Sequence, residues 1–249
     1  MLTKRALLAL ALSLAAAPAL AQSTTDPYVR LHTAEGDIIV ELFADKAPIT
    51  VRNFLHYVDT KRLDGAHFYR SSTPPGDKAF DYGILQGGLQ GDPKKVYPPI
   101  AHESTAKTGL SHTDGTISMT RFAPGTATAD FSICVGNQTY LDADPKDPAA
   151  NPGYAAFGRV VQGMDVVKTL LAQPRDPNKG VGVMKGEMLA HPVPILTVRR
   201  IAASEVPPPP PHAPSALAPP QPPPTIVGSP PPTIVGSPAP TATPGATPQ

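Results

Sequence analysis

The sequence predicts a mainly β fold, a closed eight-stranded antiparallel barrel capped by two α-helices. Three observations lead there. About eight short segments alternate apolar and polar residues or run β-branched, and turn residues separate them. Two other segments, one early and one late, repeat their apolar residues at helical spacing instead. The strand-like segments lie close together along the chain, so they pair mostly antiparallel. Closing such a sheet removes its edges, and helices laid over the open ends bury their apolar faces.

Val29–Thr33 and Ile38–Leu42 form a hairpin around the Glu35-Gly36-Asp37 turn. Lys46–Asp59 reads as a helix, with Pro48 near its start and Val51, Phe54, Leu55 and Val58 on one face. His67–Arg70 and Ile84–Gly88 are strands around the loop Ser71–Gly76. From Gln90 to Asp114 the pattern is irregular and predicts a surface loop with at most a short helical turn. Gly115–Met119 and Asp130–Cys134 are strands, joined by a loop able to line a groove. Asp142–Gly153 is a polar, proline-rich loop. Ala155–Val161 is a strand, Met164–Leu171 the second helix, and Ile195–Val198 the last strand.

Composition bounds the function. The chain has 249 residues and balanced charge, 21 Lys+Arg against 20 Asp+Glu. That balance offers no basic face for nucleic acid and no polybasic membrane patch. The lone Cys134 excludes an intrachain disulfide, and its apolar strand setting reads as a buried small hydrophobe.

Lys4 and Arg5, an apolar run over Ala6–Ala17 and the close Ala19-Leu20-Ala21 describe a secretory signal peptide over residues 1–21. The run is too short to span a bilayer, which takes about 20 residues. An uncleaved anchoring helix is the competing reading. The mature chain is expected to start near Gln22, without a membrane span, and in a bacterium to be periplasmic. Residues 22–206 form the folded domain. Residues 207–249 hold 18 of the 34 prolines and repeat Pro223–Pro230 at once as Pro231–Pro238. Such a tail cannot bury a core and is expected to be disordered, with polyproline II character. It reads as a spacer, as a docking sequence for a partner, or as a visitor to the domain's own groove.

No G-x-S-x-G places Ser118 on a nucleophile elbow. His102, Glu103 and His112 lack metalloprotease spacing, and no metal site is expected from the scattered histidines. Asp142, Asp144 and Asp147 read as a solvated loop before a weak Ca²⁺ site. No glycine-rich phosphate loop opens a helix. What remains is Arg70, closing an aromatic strand, with Gln86-Gly87-Gly88, Ile117-Ser118-Met119 and Asp130–Ile133 each supplying apolar groups beside a polar neighbour. A cation and an amide beside an apolar surface point to action by binding and hydrogen bonding.

Over about Tyr28–Ala202 the chain resembles a cyclophilin-type peptidyl-prolyl cis–trans isomerase, an exported bacterial form with a proline-rich tail. The resemblance rests on Gly36–Leu42, Pro48-x-Thr50-Val51-x-Asn53-Phe54, Phe68-Tyr69-Arg70, Gln86-Gly87-Gly88, Ile117–Met119, Asp130–Ile133, Phe157–Val160 and Gly163–Val167, in that order. It implies catalysis by Arg70, donating toward the prolyl nitrogen, and by Gln86, bonded to substrate backbone. It implies a substrate groove built from Phe68, Tyr82, Ile84, Met119, Thr120, Arg121, Phe122, Asp130, Phe131, Ser132, Tyr140, Leu141 and Tyr154. No cofactor is implied. Proline-containing peptides or unfolded exported proteins are the implied partners of a monomer. The chain departs from the family at Gly83, where an aromatic is usual, at Asp130 for glutamine, and at Ser132 for phenylalanine. Tyr140 stands for the rim aromatic and Tyr154 for a histidine. These departures predict a less apolar seat for the proline ring. Three functions stay open: an active isomerase, a proline-peptide-binding module with little turnover, and a scaffold whose tail is the working part.

Overall fold

The computed structural model describes residues 26–208. The expected signal peptide and nearly all of the proline-rich tail lie outside the described residues. Eight strands form the barrel: β1 (Tyr28–Thr33), β2 (Gly36–Leu42), β3 (Ala66–Ser72), β4 (Gly83–Gly88), β5 (Thr116–Met119), β6 (Phe131–Val135), β7 (Ala155–Gln162) and β8 (Met188–Ile201). They close in the order β1-β2-β7-β5-β6-β4-β3-β8, every pair antiparallel, as the sequence predicts. Closure runs through β1 and β8, with Tyr28 opposite Ile201.

Helix α1 (Pro48–Asp59) covers one part of the core. Its face of Val51, Phe54, Leu55 and Val58 is buried, as the spacing predicts. The Phe54 ring meets Phe131 edge-on at 5.7 Å and Phe157 at 5.3 Å, arrangements that suit aromatic quadrupoles. The helix begins without a cap of its own. Glu103, over fifty residues away, replaces it: its carboxylate accepts the Ile49 and Thr50 N–H groups at 3.0 and 2.7 Å and the Thr50 hydroxyl at 2.7 Å. A carboxylate is favoured there because helix N-termini present unpaired donors and a partial positive charge.

The 90–114 loop contains one short helix, α2 (Thr105–Thr108), opened by the Ser104 hydroxyl and ended by Gly109 at φ 68°. A third helix, α3 (Met164–Leu171), matches the second predicted one and buries Val167, Leu170 and Leu171. The last strand exceeds expectation. Pro192 and Pro194 lack N–H groups and are unusual inside a strand, yet β8 is 14 residues long and contains both, pairing Pro194 with His67 and Val193 with Phe68.

Two irregularities of β3 decide where its side chains point. Against β4 the register slips between Phe68 and Arg70, so Tyr69 and Arg70 together oppose Gln86. A bulge of this kind reverses the alternation of side chains. Against β8 the slip is larger, with Phe68 opposite Val193 and Arg70 opposite Met188.

Candidate functional site

Alternation along the strands sorts the candidate residues into two sets. Leu85, Ile117, Met119, Phe131 and Ile133 point into the barrel and belong to its core. Phe68 does too, edge-on to Phe131 at 5.9 Å. The expectation that Phe68, Met119 and Phe131 line the substrate groove is therefore corrected: each is at most 1% exposed and packed inside. Phe68 and Arg70 would share a face in a regular strand. The bulge between them leaves Phe68 inside and turns Arg70 to the opposite face, beside Gln86.

On that outer face Arg70, Gln86, Ser132 and Ser118 lie side by side across four strands, with Ile84 and Cys134 in the next row. Ile84, Cys134 and Leu141 form a small apolar cluster of their own, with Tyr154 against it. Burial, and to a lesser degree Asp142 and Asp114, pushes the Cys134 thiol well above its ordinary pKa, which agrees with the inert reading.

A chain of hydrogen bonds runs through the two candidate catalytic residues. The Glu187 carboxylate accepts Arg70 Nε at 2.9 Å and Nη2 at 2.6 Å. Arg70 Nη1 donates to Gln86 Oε1 at 2.8 Å. Gln86 Nε2 donates to the Tyr69 hydroxyl at 2.6 Å, and Tyr69 donates to Asp130 Oδ1 at 3.3 Å. The bulge makes this possible, because Tyr69 and Arg70 both reach one glutamine. Arg70 and Gln86 are each 1% exposed, so these bonds act in a poorly screened environment. Burial, then the nearby Asp130 charge, raises the Tyr69 pKa far above its ordinary value, keeping it a neutral donor.

Asp130 has a structural task as well. Its carboxylate also accepts the Gln90 and Gly91 N–H groups at 2.8 and 3.3 Å and so holds the turn after β4. Gly88 lies so close that a Cβ there would sit 2.4 Å from Asp130 Oδ1. Burial raises the Asp130 pKa, against the pull of those N–H groups and Tyr69. Thr120 is buried, its N–H tied to the Asp130 carbonyl at 2.9 Å.

Arg121, Phe122, Tyr140, Leu141 and Tyr154 do come together, around a cavity of about 360 Å³ that Pro152 helps to line. Arg121 lies over the Tyr154 ring at 4.7 Å, bonds the Phe122 carbonyl at 2.9 Å and also reaches the Gly153 carbonyl. Phe122 and Tyr140 are 38% and 37% exposed, which makes them the apolar rim. Partial burial raises the Tyr140 pKa, with Tyr82, Cys134, Arg70 and Glu187 all within electrostatic reach of its hydroxyl. Tyr82 packs near Gly136, where a Cβ would sit 3.0 Å from its ring.

The glycine at 83 has a steric origin. A Cβ there would lie 2.4 Å from the Ser72 carbonyl oxygen, at φ +157°. An aromatic side chain cannot enter without moving β3 from β4. Gly83→Ala is expected to cost about 1–3 kcal/mol, read as a lower thermal midpoint. An unchanged midpoint would show that the strand pair gives way freely.

Beneath the groove, Asp142, His112 and Ser118 form a line: His112 Nδ1 to Asp142 Oδ1 at 2.5 Å, His112 Nε2 to Ser118 Oγ at 2.8 Å. Ser118 is 1% exposed, so the line is a buried brace for the groove floor, without the open hydroxyl that a nucleophile needs. Asp144 and Asp147 accept loop N–H groups at 2.8 and 3.0 Å. Among the described residues no group of three His, Cys, Asp or Glu is placed to hold a metal ion.

Residues 28–199 match the family description "cyclophilin type peptidyl-prolyl cis-trans isomerase/CLD". The chain belongs to the cyclophilin-type peptidyl-prolyl cis–trans isomerases. A peptidyl-prolyl cis-trans isomerase from Acinetobacter baylyi is 33% identical over 155 residues, covering 62% of this chain and 77% of its own length. Peptidyl-prolyl cis-trans isomerase A from Dickeya dadantii is 37% identical over 161 residues, covering 64% of this chain and 77% of its own. A cyclophilin-type isomerase structure from Cryptosporidium parvum superposes with a TM-score of 0.56 at 22% identity, over 71% of this chain and 98% of that one. This cyclophilin is accordingly an enzyme that interconverts cis and trans peptidyl-prolyl bonds. Two members of its candidate site are not apparent from the sequence. Tyr69 stands in view within the Phe68-Tyr69-Arg70 motif, and only the bulge gives it a partner. Glu187 lies 117 positions from Arg70 in a segment without a motif, and only barrel closure brings it near.

Proposed function

We propose that this cyclophilin accelerates X-Pro rotation in exported chains, with Arg70 as the donor to the prolyl nitrogen and Gln86 as its neighbour on the peptide backbone. The single observation that carries this reading is the Arg70–Gln86 bond at 2.8 Å on the outer face. Rotation about a peptide bond meets a barrier of about 18–20 kcal/mol, because resonance stiffens the C–N bond. A donor aimed at the nitrogen lone pair favours the twisted, non-conjugated state over both planar isomers, which is the condition for catalysis. A guanidinium suits the task, being charged at any working pH and fork-shaped. It carries five N–H groups. Two go to Glu187 and one to Gln86, leaving two for a substrate.

Ile84, Leu141 and Tyr154 offer the apolar seat for the proline ring, and the cavity beside Arg121 and Phe122 takes the neighbouring residues. A structure of the Cryptosporidium parvum relative was determined in the presence of the dipeptide Ala-Pro, which supports a proline-containing ligand here. With Arg70 1% exposed, a prolyl nitrogen reaches it only after a covering side chain turns aside. Together with Ser132 in place of phenylalanine, this favours modest turnover. The leader-like residues 1–21 support action on exported chains in the periplasm. Among the described residues no helix is long and apolar enough to cross a membrane.

A protease-coupled assay on an Ala-Pro peptide tests the reading. Conversion is expected to be faster than the uncatalysed exchange of tens to hundreds of seconds. A rate equal to the uncatalysed one would leave the binding-module and scaffold readings. For export, N-terminal sequencing of the mature chain is expected to begin near Gln22, and an intact Met1 in the cytoplasm would overturn it.

A further inference from the structure

Glu187 lies outside every motif that carries the family likeness, yet it makes the shortest bond to the Arg70 guanidinium, 2.6 Å. Its position is built. Residues 174–188 lead from α3 into β8 and bond largely to themselves: Asp176 N–H to the Met188 carbonyl at 2.9 Å, Gly186 N–H to the Lys179 carbonyl at 2.8 Å, Glu187 N–H to the Met184 carbonyl at 3.0 Å. Gly180, at φ +88°, leaves 2.2 Å between a would-be Cβ and the Met184 carbonyl oxygen, so the turn accepts only glycine. The Glu187 carbonyl then accepts the Ser71 N–H at 3.0 Å, fixing its backbone beside β3.

The side chain is fixed at both oxygens. Oε2 takes Nε and Nη2 of Arg70, and Oε1 accepts the Ser72 hydroxyl at 2.7 Å. Gripped on its Nε side by Glu187 and at Nη1 by Gln86, the guanidinium has one orientation. The two N–H groups left over are on Nη1 and Nη2, away from the Nε edge that the carboxylate covers. The carboxylate therefore holds the fork by one edge and makes no bond along the other. A carboxylate placed to block the donor would take the terminal pair instead.

We propose that Glu187 is a positioning residue of the isomerase, holding the Arg70 guanidinium so that its remaining N–H groups meet the prolyl nitrogen. The proposal rests on the reading of Arg70 as the donor. Preorganisation is its whole effect. Without Glu187 the long side chain samples several rotamers, and a displacement of about 1 Å at a reacting centre costs up to about a hundredfold in rate.

The test is a double-mutant cycle on the full chain, with Glu187→Ala, Arg70→Ala and both together, read as kcat and KM on an Ala-Pro peptide. Glu187→Ala is expected to lower kcat by about ten- to a hundredfold and to move KM less than about twofold, a uniform-binding change being absent. In the Arg70→Ala background it is expected to change kcat by less than about twofold, since the group it positions is gone. Glu187→Gln, which keeps one acceptor for the fork, is expected to recover part of the loss. A merely structural role predicts the same loss in both backgrounds and overturns the proposal. So does a Glu187→Ala variant as fast as the parent or faster, which would make the carboxylate an inhibitor. Failure of the underlying reading looks different, with the parent and Arg70→Ala converting the peptide at one rate.

Discussion

Arg70→Ala is expected to lower kcat/KM on an Ala-Pro peptide by about a hundred- to a thousandfold. The size comes from what one preorganised donor contributes to a transition state, about 2.7–4 kcal/mol. The donor acts where charge and a lone pair develop, in surroundings that barely admit water, with Arg70 and Gln86 each 1% exposed. The loss should fall on kcat, because the planar isomers gain little from a group aimed at the nitrogen. Arg70→Lys separates charge from shape. An ammonium keeps the charge but presents a point, and it cannot span Glu187 on one side and Gln86 on the other. The lysine variant is therefore expected to lose most of what the alanine variant loses. Recovery of near-parental kcat in Arg70→Lys would mean that charge alone suffices. Equal rates for parent and Arg70→Ala would remove Arg70 from the chemistry.

The architecture is open to reading because local signals agree with each other. Helical spacing at Val51, Phe54, Leu55 and Val58 and at Val167, Leu170 and Leu171 marks both long helices, and alternation or β-branched runs mark the strands. The site is less legible, for physical reasons that sit at particular residues. Period-two reasoning puts Phe68 and Arg70 on one face, and a one-residue bulge after Phe68 undoes it. The same reasoning, applied strictly, separates Met119 and Phe131 from Ser118 and Ser132. The family likeness instead marks Met119, Phe131 and Ser132 alike as groove residues. At β8 the prolines argue against a long strand, and the residues before them, Glu187 included, carry no pattern that points to a site. Gly83 looks like a missing aromatic. The Ser72 carbonyl, 2.4 Å from where its Cβ would be, shows that the backbone came closer and left no room.

His112→Phe tests the floor of the groove, and a loss of about 1–3 kcal/mol of stability is expected. The ring keeps its approximate volume, so the cost is in the polar atoms. His112 is fully buried, with Asp142 on Nδ1 and Ser118 on Nε2. The ionised Asp142 carboxylate only accepts, so Nδ1 donates to it, and the Ser118 hydroxyl is bonded to Nε2. Phenylalanine leaves a half-buried carboxylate short of a partner and a buried hydroxyl with none across the strand. The pH dependence identifies the cause. Burial pushes the Asp142 carboxyl up, but hydrogen bonds from the His112 ring, Ser111 and the His112 N–H outweigh it and hold the pKa below its ordinary value. A carboxyl depressed in the folded state contributes stability above the unfolded value, about 4, and loses it as pH falls through the folded value. Urea unfolding should then show the largest gap between parent and His112→Phe near pH 7, narrowing in acid as Asp142 takes up its proton. A gap that stays constant across that range would assign the cost to packing and leave Asp142 without an electrostatic part. Ser118 stands opposite Ser132, and Ser132 opposite Gln86, so loosening the brace is also expected to reach the catalytic pair. A fall in kcat alongside stability would show that the floor transmits; unchanged kcat in the folded variant would show that Glu187 and Tyr69 hold Arg70 and Gln86 without it.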